Sequence, residues 1–378
     1  MGFHRVTRPM LGLGAVVGLV GAPLAALVLT AAPANATDSD GGVFRTAWAN
    51  QTTGTISLSV DVTLGCTDLA GDGTALRTLA TPIVVDGHGH SITQTCTTGT
   101  NNGVLTQNGN GAVTLQNLTI TGGNAGNGGG VLDFGSDGLT ITNSTISGNH
   151  SVNDAAGVLS VGTLTVTNST ITGNSTTAFG GGLDGDHSVI VTNSTITGNT
   201  AGNGAAVVTS NAGDVTLVYA TVVQNTATKG AIVATFGLTS FGSVVAQPQG
   251  GGTNCESGVT TTSHGFNFTD DANATTGCKF NAATDHVGAS NNPLLGPLAN
   301  NGGPTLTMLP QDGPSPLIDA IPAASCQADG ASGITTDQRL LPRPDPGSPN
   351  CDIGAVEVQV PGATAAPVAP TLIVAFTG

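Results

Sequence analysis

An all-β chain wound as a right-handed parallel β-helix, with three short strands in each coil of about 25 residues, is the fold class this sequence predicts, and three observations carry it. Composition is the first: the 378 residues include 57 Gly, 10 Phe, one Trp and one Tyr, and only 8% are charged. Surface helices need more Lys, Arg and Glu than that, whereas short strands and tight turns draw on Gly, Asn and β-branched residues. The second is a recurring phrase: Asn117-Leu-Thr-Ile-Thr-Gly, Asn143-Ser-Thr-Ile-Ser-Gly-Asn, Asn168-Ser-Thr-Ile-Thr-Gly-Asn and Asn193-Ser-Thr-Ile-Thr-Gly-Asn, at spacings of 26, 25 and 25, with a degenerate copy at Tyr219 after 26 more. A period held this long marks a repeat architecture. Third, the apolar residues of each unit fall into three short runs, and coils that cannot bury an apolar face alone stack on their neighbours.

The chain opens with Arg5 and Arg8, an apolar run from Leu11 to about Thr30, and Ala34-Asn35-Ala36. This predicts a signal peptide over 1–36 and a secreted or cell-surface protein beginning at Thr37. No second apolar run approaches the length of a membrane span, so none is expected in the mature chain. Residues 37–100 read as an N-terminal cap and first coils, with Ile56, Leu58, Val60, Val62 and Leu64 alternating. Stacks need atypical ends to shield the last core layer and the strand edges. His88 and His90 flank a Gly with no third ligand nearby, so they read as turn residues and no metal or cofactor is expected.

Regular repeats are predicted over 101–247. Apolar pairs two and four residues before each phrase (Val113 and Leu115, Leu139 and Ile141, Leu164 and Val166, Val189 and Val191, Val215 and Leu217) describe one strand. Ile120, Ile146, Ile171, Ile196 and Val222 lie three residues past its first position, which shifts the parity and requires a corner there. A third strand starts at Val131, Val158, Leu183, Val207 and Ile232, each after a Gly- or Ala-rich triplet. The isoleucines then form an interior column. Asn117, Asn143, Asn168 and Asn193 form an Asn ladder at the corner, where Asn tolerates the left-handed conformation. The ladder occupies their side chains, so their glycosylation sequons are discounted.

Six cysteines follow residue 36, at separations of 30 (Cys66 to Cys96), 23 (Cys255 to Cys278) and 25 (Cys326 to Cys351). Each is close to one coil, and positions one coil apart lie within disulfide reach, so sequential pairing is expected. Beyond residue 36 there are six basic residues against 23 acidic, a net of −17, which excludes nucleic acid and anionic membrane as natural partners.

The Gly-Gly-Gly-Val/Leu and Asn-Ser-Thr-Ile-Thr-Gly-Asn repeats resemble those of β-helix surface proteins of the polymorphic-membrane-protein type. From Asn254 onward the sequence resembles a choice-of-anchor Q domain, over 248–358: Asn254-Cys255, Gly265-Phe-Asn267, Asp271, Cys278, Asn292-Pro-Leu-Leu-Gly-Pro-Leu298, Asn301-Gly-Gly-Pro-Thr305, Ser315-Pro-Leu-Ile-Asp-Ala320, Thr336-Asp-Gln-Arg339, Arg343-Pro344 and Cys351-Asp-Ile-Gly-Ala-Val-Glu357. That family usually has Gly where Leu340 and Ile321 stand here. The resemblance implies a bacterial surface protein with a variable C-terminal sorting device and no established catalysis. The Pro- and Ala-rich tail, 359–378, ends in Val374-Ala-Phe-Thr-Gly378, similar to a sortase pentapeptide with Val in place of Leu.

Three classes of function fit such a chain. A lyase of this fold needs a basic residue, yet none lies between Arg77 and Lys229, leaving His150 and His187 as substitutes. A hydrolase needs two carboxylates, and Asp133 with Asp184, near one position of coils two apart, are the candidates; Asp154, Asp186 and Asp214 are further ones, all equally readable as exposed turn acids. Thr119 and Thr121, Thr145 and Ser147, Thr170 and Thr172, Thr195 and Thr197 form stacked rungs that would suit an ice-binding face. The preferred expectation is a non-enzymatic surface β-helix for adhesion or display, with a surface glycan or another surface protein as partner.

Overall fold

The computed structural model describes residues 34–36, 41–66, 74–98, 101–211, 213–256, 258–311, 313, 315–328 and 330–359. The predicted signal peptide, apart from the backbone of Ala34–Ala36, and the tail beyond Gln359 with its pentapeptide lie outside the described residues.

Three parallel sheets, two of ten strands and one of eight, form the body of the protein. In one coil Leu164–Thr167 belongs to the first sheet, Thr170–Thr172 to the second and Leu183–Gly185 to the third. Each pairs with its equivalents in the coils on either side, so Ile146, Ile171 and Ile196 stand in register in the second sheet. All three are fully buried, as are Leu164, Val166 and Leu183 around them. Each such side chain contributes roughly 1.5–3 kcal/mol.

The corner that reverses the parity is where the sequence places it. Asn117, Asn143, Asn168, Asn193 and Tyr219 have φ of 55°, 50°, 50°, 45° and 50°, the left-handed conformation. Asn143 donates through Nδ2 to Asn117 Oδ1 and Asn168 to Asn143 Oδ1, both at 3.2 Å, while Asn117 donates to Asp86 Oδ1 at 3.1 Å. Asn193 leaves the ladder and donates to the Thr336 carbonyl instead, at 2.8 Å. A second ladder runs inside the corner that follows, formed by the Asn that closes every phrase but the first. Asn149, Asn174 and Asn199 each donate through Nδ2 to Oδ1 of the next, ending at Asn225, at 3.0 Å per step. Their Nδ2 groups also reach the carbonyls of Ile120, Ile146 and Ile171. Buried corner backbone is thereby satisfied without water.

The N-terminal end is closed by a helix, Gly42–Asn50, that lays Phe44 and Trp48 on the first coil. Arg77 lies beneath it, its guanidinium 5.8 Å from the Trp48 ring centroid and donating to the carbonyls of Trp48 and Gln51 at 2.9 and 2.7 Å.

Coil stacking outlasts the regular repeats: Thr253–Cys255, Thr261–Ser263, Phe268–Thr269 and His286–Val287 all continue the parallel sheets beyond residue 247. The chain then leaves the stack. Residues 288–359 form an antiparallel hairpin, Leu295–Ala299 with Thr307–Pro310, and a series of turns that lie as a strap over the outer face of the second sheet. The disulfides are Cys66–Cys96, Cys255–Cys278 and Cys326–Cys351, with Cα separations of 4.7, 4.7 and 5.8 Å. Coil spacing does not account for the third bond: it joins two points within the strap, beside the antiparallel Ile321–Cys351 bridge, and not two successive coils.

Candidate functional site

Asp133 and Asp184 do not meet. In the third sheet Asp133 is in register with Ser160 and then Gly185, so Asp184 is one residue out of phase and its side chain leaves the opposite face. Asp133 points inward, in a buried polar column with Arg77, Gln107, Ser160 and Thr209. It accepts from the Gly135 N–H and the Ser160 hydroxyl at 2.9 and 3.1 Å. Burial pushes its carboxyl up to about 6 despite those bonds. Members of this column bond the turns that lead back to the first sheet: Gln107 reaches the Leu79 and Gly111 carbonyls, and Thr209 that of Gly213. The pleat therefore sends the two carboxylates to opposite faces of the sheet.

Asp184 is not an exposed turn acid either. It is the central residue of the strand Leu183–Gly185 and is 6% exposed, with Leu159 and Val208 as its outward neighbours. Asp154 and Asp186, both half-buried, are the charges that act on it. Burial and then these two like charges push the Asp184 carboxyl up to about 8, and burial raises Asp154 and Asp186 as well. Asp214 begins a strand of the first sheet, just before Val215, which is in register with Val189 of the preceding coil.

The Thr rungs are corrected by the strap. Thr170 and Thr195 are fully buried and Thr197 is 5% exposed, whereas Thr119, Thr121, Thr145 and Thr172 stay half-exposed. Gln338 is inserted at the covered end. Its Oε1 accepts from Thr195 Oγ1 at 2.6 Å, and its Nε2 donates to Thr170 Oγ1 and Thr305 Oγ1, both at 2.9 Å. Among the described residues the hydroxyl rungs are thus open at Thr119, Thr121, Thr145 and Thr172 and covered at Thr170, Thr195 and Thr197.

The neighbouring motif residues also serve the strap. Asp337 pairs with Arg339 at 2.8 Å, and Arg343 lies 4.0 Å from the Tyr219 ring centroid and 3.7 Å from Glu357, with its two terminal nitrogens on the Asp352 and Gly354 carbonyls. Gly303 passes so close that a Cβ there would sit 2.4 Å from the Arg339 Cα. Leu340, where the resembling family has Gly, has φ of 67°. These contacts span up to 169 residues, and no local pattern announces them.

His88 and His90 are turn residues beside Asp86 and Asp61, at 3.8 and 3.5 Å. Among the described residues no three His, Cys, Asp or Glu side chains are placed to hold a metal ion, and no helix is long and apolar enough to cross a membrane. A cavity of about 290 Å³ lies at the Asn corner between His88, Asn117, Asn143 and Pro304, and another of about 320 Å³ beside the strap hairpin; neither is lined by a carboxylate.

With that geometry in hand, one family model matches, described as "Putative pectate lyase-like adhesive domain", over residues 36–176. It covers the N-terminal coils, less than half of the chain, and is in keeping with an adhesive surface β-helix. No curated protein and no solved structure matches.

Proposed function

We propose that this chain is a secreted or cell-surface β-helix that acts by adhesion or structural display, and not by catalysis. The observation that carries the reading is the parity of the third sheet, which sends the two candidate acids to opposite faces. The adhesive-domain match and three disulfides, which suit an oxidising compartment, support it. The resemblances to polymorphic-membrane-protein repeats and to a choice-of-anchor Q domain supply the finer assignment. On that reading the motif residues Gln338, Arg339, Arg343 and Glu357 are the fastening of the anchor-proximal segment to the helix.

The test is a glycan array probed with the purified protein while reducing-sugar release is followed on every bound polysaccharide. Binding without release is expected. Release that disappears in Asp133→Asn or Asp184→Asn would replace adhesion with hydrolysis.

A further inference from the structure

We propose that the outer face of the third sheet around Asp184 is a docking site for a Lys- or Arg-bearing segment of another protein. The inference rests on the adhesive reading and assigns the chemistry of one contact. Asp184 is nine-tenths buried, and among the described residues its carboxylate has no hydrogen-bond or ion-pair partner. Buried polar groups are ordinarily paired, and an unpaired buried carboxylate is costly. Here the neighbouring charges deepen that cost, since Asp154 and Asp186 are like charges that both act on it. Between Arg77 and Lys229 the coils hold no Lys or Arg; His187 acts on Asp186, and no basic group acts on Asp184.

The surroundings fit the stem of a basic side chain as well as its head. Leu159 and Val208 lie above and below Asp184 on the same face. Phe179, in register with Asp154 of the preceding coil, is 47% exposed. Gly180 follows it, and a Cβ there would stand 3.3 Å from Asp184 Oδ2, so the missing side chain leaves room over the carboxylate. Lysine and arginine lay aliphatic stems on apolar surface, and guanidinium groups favour aromatic faces. A cation seated among the three acids allows Asp184 to ionise and relieves their repulsion.

Two other occupants are disfavoured. The three acids are not disposed as a metal-binding group. A second copy has little to offer: among the described basic residues Arg45, Arg77, Lys279, Arg339 and Arg343 all make internal hydrogen bonds, which leaves the exposed Lys229 alone.

The experiment measures fluorescence anisotropy of a labelled peptide of alternating Arg and Leu against the full secreted chain, with an alternating Glu and Leu peptide as comparison. Because the protein is acidic throughout, two neutralised variants of equal charge are compared: Asp154→Asn/Asp184→Asn/Asp186→Asn, and Asp61→Asn/Asp137→Asn/Glu256→Gln elsewhere. The first is expected to weaken binding of the Arg peptide at least about tenfold and the second by less than about twofold. Asp154→Lys supplies the cation internally, so it is expected to abolish binding with the fold intact. Equal weakening by both triple variants, binding that survives Asp154→Lys, or no saturable binding would overturn the proposal. Competition by calcium ions at one site would overturn it in favour of a metal. If glycan adhesion persists while the peptide fails, this site is wrong and the adhesive reading stands.

Discussion

Around Ile171 every side chain has a near copy of itself one coil above and one below, and the backbone bonds, the aliphatic column and both Asn ladders repeat with the coil, whereas around Arg343 no contact is repeated and a buried guanidinium, two carboxylates and a tyrosine ring fit one another once. The coils spread their stability over many similar layers, each made by neighbours in sequence. The strap concentrates its stability in a few charged and polar contacts across long separations. A defect in a coil leaves a cavity, to which neighbours partly adjust. A defect in the strap leaves a buried charge unpaired, to which nothing adjusts.

That contrast is open to four substitutions, taken from the largest expected effect to the smallest. Arg343→Met removes the partner of Glu357 and the donor to the Asp352 and Gly354 carbonyls, and is expected to cost about 3–5 kcal/mol. Limited proteolysis should then cut within 288–359 before the coils; cleavage that begins in the coils would show that the two regions do not open separately. Ile171→Ala is expected to cost about 2–5 kcal/mol by denaturant unfolding, as buried Ile truncations do, and to loosen the coils without selectively freeing the strap. A silent Ile171→Ala would mean the column does not stack as described.

The third concerns pH. The Asp184 carboxyl is raised to about 8 in the folded protein from an ordinary value of 3.8, so the folded state binds the extra proton between those limits. Its contribution is therefore greatest below about pH 4 and is lost as pH rises through 8. Asp184→Asn should leave stability near pH 4 unchanged and raise it at pH 8 by on the order of 1–3 kcal/mol; thermal melts at the two pH values are the check, and an equal shift at both would refute the burial of this charge. Leu340→Gly relieves a left-handed conformation and is expected to gain about 0.5–1 kcal/mol in the strap.

The coils were legible because their information is local and repeated. The parity shift at each Asn fixes a corner, and a corner plus two apolar pairs fixes a coil. The second Asn ladder is written in the same phrase, as the closing Asn of every copy but the first, yet the opening Asn alone is enough to explain a turn, so nothing local singles out the closing one. Asp184 reads from sequence as a turn acid because acid beside Gly usually means a turn, and only the strand register, Leu183 over Val158, shows it to be mid-strand. The covering of Thr170 and Thr195 was illegible for another reason. Thr favours the outward side of a strand whether water or another segment lies over it, and the residue that covers them, Gln338, is more than 140 positions away.

The strap also decides where this molecule can grow. It touches Asn168 and Thr170, Asn193 and Thr195, Tyr219 and Thr221, and Gly242, one set from each of four successive coils. A duplicated coil placed before Asn143 would meet on both sides the same corners it already fits, and would lengthen the rod by one strand spacing, about 4.8 Å. The same duplication between Asn168 and Gly242 would move Thr305 and Gly354 out of reach of their partners. Length is thus adjustable at the N-terminal half alone, and the strap works as the fixed end of a ruler whose other end gene duplication can extend in 25-residue steps.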